Sequence, residues 1–247
     1  MSVYDLIGRS YRTTRRPDPR IAAQVHAALY GMRSVLNVGA GAGSYEPAET
    51  VVAVEPSSVM IAQRPAGSAA CVRAIAEALP LRDNCVDAAL AVLTTHHWTD
   101  LAVGITELRR VARRRIVILA CDQSVFREFW LLREYLPEAA TVSDTHAVSV
   151  TWLVDLLSGA RIEQVPVPHD CADGFGAAYW RRPDAYLDPG VRAGISMLAQ
   201  ASSPSLADGL TRLADDLDSG RWRERHHALL QLDQLDAGYR LLVSDLC

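Results

Sequence analysis

The stretch that decides the fold reads VLNVGAGAGSYEP over residues 35–47 and continues as VVAVEPS over residues 51–57. A short apolar run turns at Gly39, Gly41 and Gly43, and the next apolar run ends in the acid Glu55. Glycines let the backbone turn sharply and let a ligand approach without a β-carbon in the way. A carboxylate at the tip of the second strand can accept hydrogen bonds from a ribose diol. The stretch therefore predicts a pocket for an adenosine-containing ligand.

The glycine spacing separates two kinds of adenosine ligand. The dinucleotide fingerprint GxGxxG requires glycine at position 44, and that residue is Ser44. The pattern here is GxGxG. With an acid at the end of the next strand, it resembles motif I of the class I S-adenosylmethionine-dependent methyltransferases.

A second segment carries the same resemblance. AEALPLRDNCVDAALAVLTTHHWTD, over residues 76–100, is similar to the corresponding segment of small-molecule methyltransferases of the UbiE/Methyltransf_11 type. In that family an AExLPF stretch passes the adenine, and an LHHW-like sequence follows a strand beside the methyl group. The resemblance spans roughly residues 4–121. It implies an enzyme that uses S-adenosylmethionine, releases S-adenosylhomocysteine and methylates a small molecule.

Apolar runs and helical periods alternate through the first two thirds of the chain, which is typical of a parallel sheet covered by helices. We expect an α/β fold with a doubly wound, Rossmann-like, seven-stranded and mostly parallel sheet. Residues 160–168 predict a strand at the sheet edge, and residues 237–247 return to a strand. Residues 171–236, here called the insertion, read as several helices. Residues 1–170 and 237–247 then form the core, and the insertion is expected to act as a lid that selects the substrate.

The resemblance implies a set of residues that bind the cofactor, and two of its positions depart from the family. Asn37 replaces the usual acid of motif I, and Ile75 stands where an aspartate often binds the adenine amino group. Adenine recognition would then involve the backbone of Ala76 and the carboxylate of Glu77, although Glu77 also suits a solvated helix start. The full expected set is Tyr4, Tyr11, Arg12, Asn37, Gly39, Ala40, Gly41, Gly43, Glu55, Pro56, Ala76, Glu77 and Leu93.

Residues 1–20 contain YDLIGRSY, which resembles the YDxxAxxY helix that covers the methionine end of the cofactor in this family. Tyr4 and Tyr11 are seven residues apart and would share one helical face. Arg12 would hold the methionine carboxylate through a charge-assisted hydrogen bond. The alternative is a helix that merely packs through its tyrosines.

Candidate catalytic and substrate-binding residues follow from position. His96 and His97 follow the strand whose end faces the methyl group, and histidine titrates near neutral pH, which suits a general base. The pair could instead pack the start of the next helix. In the insertion, Tyr179 and Trp180 are the aromatic residues that best suit a flat apolar acceptor, although aromatic side chains equally suit a core between helices.

Composition excludes several functions. The 25 basic residues are all arginine, 29 acids leave a net charge of −4, and no catalytic motif of the nucleic-acid methyltransferases is present, so nucleic acid is disfavoured as a partner. The five cysteines are widely spaced, so we expect neither disulfide bonds nor a metal site. Unpaired cysteines are typical of proteins of the reducing cytoplasm, where we expect this protein to act. No apolar run reaches membrane-spanning length.

The oligomeric state is left open. A non-catalytic protein that binds an adenosyl ligand is the alternative to an enzyme.

Overall fold

The computed structural model describes residues 4–8, 11–145, 147–201 and 203–246, without the side chains of Leu6, Ile7 and Ser203. The strands are β1 Val35–Val38, β2 Thr50–Val54, β3 Cys71–Val72, β4 Val86–Val92, β5 Ala112–Cys121, β6 Arg161–Gln164, β7 Val167–Pro168, β8 Gln234–Leu235 and β9 Tyr239–Asp245. The helices are α1 Tyr4–Ile7, α2 Tyr11–Thr14, α3 Pro19–Ala28, α4 Ser58–Ile61, α5 Leu101–Val111, α6 Gln123–Phe126, α7 Pro137–Thr145, α8 Val150–Leu156, α9 Pro189–Ala193, α10 Ser196–Gln200, α11 Ser203–Asp218 and α12 Arg221–Arg225. Short 3-10 turns cover Thr95–His97, Pro183–Leu187 and Leu229–Gln231, and a π-helical turn covers Leu131–Tyr135.

Seven strands form one sheet in the order β3, β2, β1, β4, β5, β9, β6. The first five are parallel, and β9 runs antiparallel between β5 and β6. All four residues of β1 are buried, as expected for a central parallel strand covered on both faces. The predicted fold class is confirmed.

Each face of the sheet carries its own apolar core. On one face lie α5 and α8, and α5 buries Leu101, Ile105 and Leu108 at helical spacing after an N-cap at Asp100. On the other face lie α3 and most of the buried aromatic residues. Strand order reverses between β1 and β4, so the carboxyl ends of these two strands flank the crevice where ligands bind in such sheets.

Three predicted elements differ from the observed ones. The strand expected over residues 160–168 divides into the edge strand β6 and the separate strand β7, because Pro166 interrupts it and β7 pairs with β8 instead. The two-residue strand β3 carries no periodic signal and was missed. Of the N-terminal helix expected over residues 1–20, the structure describes α1 and α2, while residues 1–3, 9 and 10 lie outside the described residues.

The insertion leaves the sheet after β6 and returns at β9, with the β7–β8 pair at its base. Its helices α10 and α11 pack against α7, and α11 also contacts the π-helical turn Leu131–Tyr135. The segment between β5 and α8 therefore belongs to the same layer, which sequence reasoning did not anticipate. We call residues 123–148 and the insertion together the cap. Within the described ranges, no helix is long and apolar enough to cross a membrane.

Trp180 lies in the core of the cap and not at a ligand-facing surface. Its side chain is fully buried, and its indole N–H donates to the carbonyl oxygens of Val167 (3.0 Å) and Pro168 (3.2 Å). Trp130 in turn donates to the Trp180 carbonyl oxygen at 3.0 Å. Tyr179 is partly exposed and packs edge-on against Tyr186. The sequence left open whether these aromatic residues pack in a core or face a ligand. The contacts of Trp180 and Tyr179 are those of core residues.

We predict that Trp180→Ala lowers the free energy of unfolding by about 3–5 kcal/mol, because it removes a fully buried indole and leaves a cavity. Chemical denaturation followed by circular dichroism measures this. The matched control is Trp152→Ala, since Trp152 is 47% exposed on α8, and a change of about 0.5 kcal/mol is expected there. Equal effects from both variants would contradict the assignment of Trp180 to the core.

Candidate functional site

The loop after β1 has the backbone conformation that only glycine adopts readily. Gly39, Gly41 and Gly43 have φ angles of +66°, +51° and +92°. A β-carbon on Gly39 would lie 2.0 Å from the Thr94 hydroxyl oxygen, at the end of the adjacent strand β4. The first glycine is therefore required both by the turn and by the close approach of β4.

Glu55, directly after β2, holds this loop in place. One carboxylate oxygen accepts from the Gly41 amide at 2.9 Å, and the other accepts from the Ser57 amide at 2.8 Å. The side chain is 5% exposed, and burial raises the pKa of Glu55 although the two amide hydrogen bonds lower it. Each carboxylate oxygen keeps a second lone pair, so Glu55 can still accept from a ligand hydroxyl.

A cleft of about 920 Å³, open solvent included, lies over the glycine loop at the carboxyl ends of β1, β2 and β4. We call it the glycine-loop cavity. Eleven of the residues expected at a cofactor site line it: Tyr4, Tyr11, Asn37, Gly39, Ala40, Gly41, Glu55, Pro56, Ala76, Glu77 and Leu93. Side chains of Ile75, Met60 and Trp98 add apolar wall.

Two expected residues do not line this cavity. Arg12 is exposed, and its guanidinium donates to the Gln63 carbonyl oxygen at 2.9 Å. Gly43 is outside the lining, and a β-carbon there would lie 3.5 Å from the Arg64 guanidinium. Arg15, which sequence reasoning did not select, lines the cavity instead.

Arg15 is held by a buried carboxylate of the insertion. Its Nε donates to Asp173 at 2.8 Å, and Asp173 is fully buried. Asp173 also accepts from the Tyr45 hydroxyl at 2.8 Å and from the Gly174 amide at 2.7 Å. Burial opposes the charge of Arg15, but the attraction of Asp173 outweighs it and raises the pKa of Arg15 well above its ordinary value. Arg15 is therefore a fixed cation at the cavity wall.

Two other residues of the expected set are engaged with the protein. Glu77 accepts from the backbone amides of Thr99 and Asp100, so its carboxylate caps the approach to α5. The Asn37 amide nitrogen donates to Glu46 at 3.0 Å, and Glu46 forms a buried ion pair with Arg64. The contacts of Glu77 are thus those expected of a residue at a helix start. Glu77 nevertheless lines the glycine-loop cavity.

A second cavity of about 890 Å³, open solvent included, lies beneath the cap, and we call it the cap cavity. Apolar side chains dominate its wall: Leu93, Ala120, Phe126, Val142, Ala147, Val148, Phe175, Ile195 and Met197. Neither Tyr179 nor Trp180, the aromatic residues expected to contact the substrate, lines it, whereas Phe175 of the insertion does. Among the described residues, Tyr4, Arg15, Leu93 and His97 line both cavities.

The two candidate histidines stand at this shared wall. They belong to the 3-10 turn Thr95–His97, directly after β4, and their ring centroids are 3.9 Å apart. His97 Nε2 lies 3.2 Å from the Tyr4 hydroxyl oxygen, whereas His96 lines the cap cavity alone. Burial raises the pKa of Tyr4, so its hydroxyl stays protonated beside His97. In the described part of the chain, no group of three or more His, Cys, Asp or Glu side chains is placed to hold a metal ion.

Comparison with known proteins identifies the family. A family model described as a methyltransferase domain matches residues 36–119. The structure of a putative methyltransferase from an antibiotic biosynthesis pathway of Anabaena variabilis is 32% identical, with 94% of this chain and 99% of that chain covered and a TM-score of 0.86. The chain therefore belongs to the S-adenosylmethionine-dependent methyltransferases, and the alternative of a non-catalytic binding protein is set aside.

More distant structures share the fold alone. The cyclase SpnF is 16% identical over 98% of this chain and 93% of its own, with a TM-score of 0.55. The plantazolicin methyltransferase BpumL, solved with a desmethyl substrate analogue and S-adenosylhomocysteine, is 11% identical over 92% of this chain and 86% of its own, with a TM-score of 0.50. No curated protein matches.

The glycine-loop cavity fits the cofactor that the family uses. Glu55 offers carboxylate lone pairs suited to a ribose diol, Ile75 and Ala76 offer apolar wall suited to a purine, and Arg15 offers a cation suited to a carboxylate. The loop glycines keep β-carbons out of the space between these groups. The groups present thus suit the adenine, the ribose and the methionine carboxylate of S-adenosylmethionine.

We predict that Gly39→Ala abolishes measurable S-adenosylhomocysteine binding in calorimetry, because the new methyl group collides with Thr94 and displaces β4 or the loop. Gly31→Ala is the matched control: φ at Gly31 is +80°, but a β-carbon there meets nothing within 4 Å. That variant bears only left-handed backbone strain, about 1–2 kcal/mol of stability, and keeps its affinity. Unchanged binding by Gly39→Ala would contradict the described loop.

Proposed function

We propose that this protein transfers a methyl group from S-adenosylmethionine to a small apolar molecule bound in the cap cavity. The observation that carries the proposal is the wall shared by the two cavities, formed by Tyr4, Arg15, Leu93 and His97. A cofactor in one cavity and an acceptor in the other would meet at this wall.

The chain contributes mainly by positioning. When bound, the cofactor supplies an electrophilic methyl group on a sulfonium ion. The protein's task is then to hold the acceptor in line and exclude water, and orientation of this kind is worth about 7–11 kcal/mol. Tyr4 and Tyr11 pack edge-on with ring centroids 5.7 Å apart, and this pair covers the glycine-loop cavity from the N-terminal side. The insertion acts as the lid over the acceptor.

His96 is the group we assign to proton removal. It lines the cap cavity only, while His97 Nε2 lies within hydrogen-bond distance of the Tyr4 hydroxyl and the His97 ring packs edge-on against the Tyr4 ring. An acceptor hydroxyl must lose its proton as the methyl group is transferred, and a neutral imidazole can take it. His97 serves to position the Tyr4 ring at the shared wall.

Arg15 is the residue we assign to the methionine carboxylate, in place of Arg12. Its side chain is 10% exposed, and that exposed part faces the cavities. Asp173 occupies Nε and approaches one terminal nitrogen at 3.5 Å, so the guanidinium is oriented before a ligand arrives. The methionine carboxylate of a bound cofactor would accept hydrogen bonds from the remaining N–H groups of the Arg15 guanidinium.

The acceptor class follows from the wall of the cap cavity. No aspartate or glutamate belongs to that wall in the described ranges, which disfavours a cationic acceptor. Apolar side chains and a few hydroxyl and amide groups suit a neutral molecule of secondary metabolism, and the relative from Anabaena variabilis, described as part of an antibiotic biosynthesis pathway, supports this. We place the activity in the cytoplasm, consistent with the four described cysteines being unpaired.

The proposed activity is tested by incubating the protein with S-adenosylmethionine and neutral hydroxylated aromatic probes, including 2-naphthol, and measuring methylated product by mass spectrometry. We expect product with the wild type and a rate about 10²–10⁴-fold lower with His96→Gln. S-adenosylhomocysteine affinity, measured by calorimetry, stays unchanged in the variant because His96 does not line the glycine-loop cavity. An equal rate in both proteins would contradict the assignment of His96.

The assignment of Arg15 is tested with two ligands. We predict that Arg15→Lys weakens S-adenosylhomocysteine binding about tenfold, near 1.5 kcal/mol, and leaves 5′-methylthioadenosine, which has no carboxylate, unaffected. Lysine keeps a cation opposite Asp173, so the fold is retained. Arg12→Lys is the matched control and changes neither affinity. Equal loss of both ligands by Arg15→Lys would show that Arg15 acts only through the fold.

A further inference from the structure

One polar group in the wall of the cap cavity lacks a partner. The Gln123 side-chain oxygen accepts from the Ser143 hydroxyl at 3.0 Å, while its Nε2 is buried and has no hydrogen bond to any described residue. Both residues line the cap cavity. A buried donor without a partner destabilises a protein, so its retention in a ligand cavity calls for a physical reason.

Gln123 lies beside the place where the methyl acceptor would bind. It is the first residue of α6, two positions after the end of β5, and β5 is the neighbour of β4, whose end leads to His96. The Gln123 amide therefore belongs to the same carboxyl edge of the sheet as the proposed methyl-transfer site. It is set among apolar neighbours, with Phe126 one helical turn further along α6.

The amide can reach the cavity at small energetic cost. The terminal torsion of a glutamine side chain is broad, so the amide plane rotates easily. Nε2 gives up no hydrogen bond when it turns, and the Ser143 hydroxyl rotates to follow the amide because a hydroxyl both donates and accepts. A ligand oxygen in the cap cavity would thus satisfy a donor that water does not reach in the free protein.

We propose that Gln123 is a specificity-determining residue that recognises a carbonyl or hydroxyl oxygen of the acceptor, at a point distinct from the atom that is methylated. The acceptor class is then a neutral apolar molecule with at least two oxygen functions, one facing His96 and one facing Gln123. This inference rests on the proposed function for the identity of the cavity, but its geometry depends only on Gln123, Ser143 and the cavity wall.

The experiment compares two probes built on the same naphthalene ring, 2-acetylnaphthalene, which has a carbonyl oxygen, and 2-ethylnaphthalene, which has none. Their dissociation constants are measured by calorimetry with and without saturating S-adenosylhomocysteine. We expect the wild type to bind 2-acetylnaphthalene about fivefold to tenfold more tightly. In Gln123→Met this preference disappears because 2-acetylnaphthalene weakens, while 2-ethylnaphthalene binds as before.

Gln200→Met is the matched control. Gln200 lines the same cavity, but its Nε2 already donates to the Ser196 carbonyl oxygen at 3.1 Å, so the preference between the probes is retained. A preference that survives in Gln123→Met, or that is lost equally in Gln200→Met, overturns the proposal. Failure of both probes to bind also overturns it. Loss of S-adenosylhomocysteine binding in the wild type would instead contradict the proposed function, and the probe ratio without that ligand still decides the role of Gln123.

Discussion

The ion pair between Arg15 and Asp173 joins the parts of the molecule that the two cavities need. Arg15 follows the short N-terminal helices, Asp173 opens the insertion, and Tyr45, which donates to Asp173, follows the glycine loop. Burying two charges is costly unless geometry and additional hydrogen bonds compensate, and loss of one partner costs about 3–5 kcal/mol. Here the Tyr45 hydroxyl and the Gly174 amide supply those bonds, so the pair fixes the insertion against the glycine-loop cavity.

Further contacts besides this ion pair hold the N-terminal segment against the insertion. Gly174 approaches Thr14 so closely that a β-carbon would lie 2.6 Å from its carbonyl oxygen, and Gly194 approaches the Thr14 hydroxyl in the same way. Asp18 accepts from the Ala172 amide at 3.0 Å. Burial raises the pKa of Asp18, but the hydrogen bonds from Arg20 and Ala172 outweigh it and leave the pKa lowered. A displacement of either segment would therefore move Arg15, which lines both cavities.

The fold and the glycine loop were accessible from the sequence because their signals are local. Buried strands read as continuous apolar runs, and three glycines mark the loop within five positions. The contribution of residues 123–148 to the cap was not accessible. It depends on the packing of α7 against α10, elements separated by about fifty positions, and no periodicity encodes which helices meet.

The differences at single residues have the same origin. Arg12 and Arg15 are equally plausible partners for a carboxylate by type, and only the structure shows that Arg15 is held by Asp173, 158 positions away. Trp180 and Phe175 are five positions apart in the insertion. The Trp180 indole nonetheless donates to two backbone carbonyl oxygens of β7, while Phe175 lines the cap cavity. A buried indole N–H requires an acceptor, and backbone carbonyls of an irregular strand pair provide it. The direction of an aromatic side chain in a cap is thus decided by which polar backbone groups remain to be satisfied.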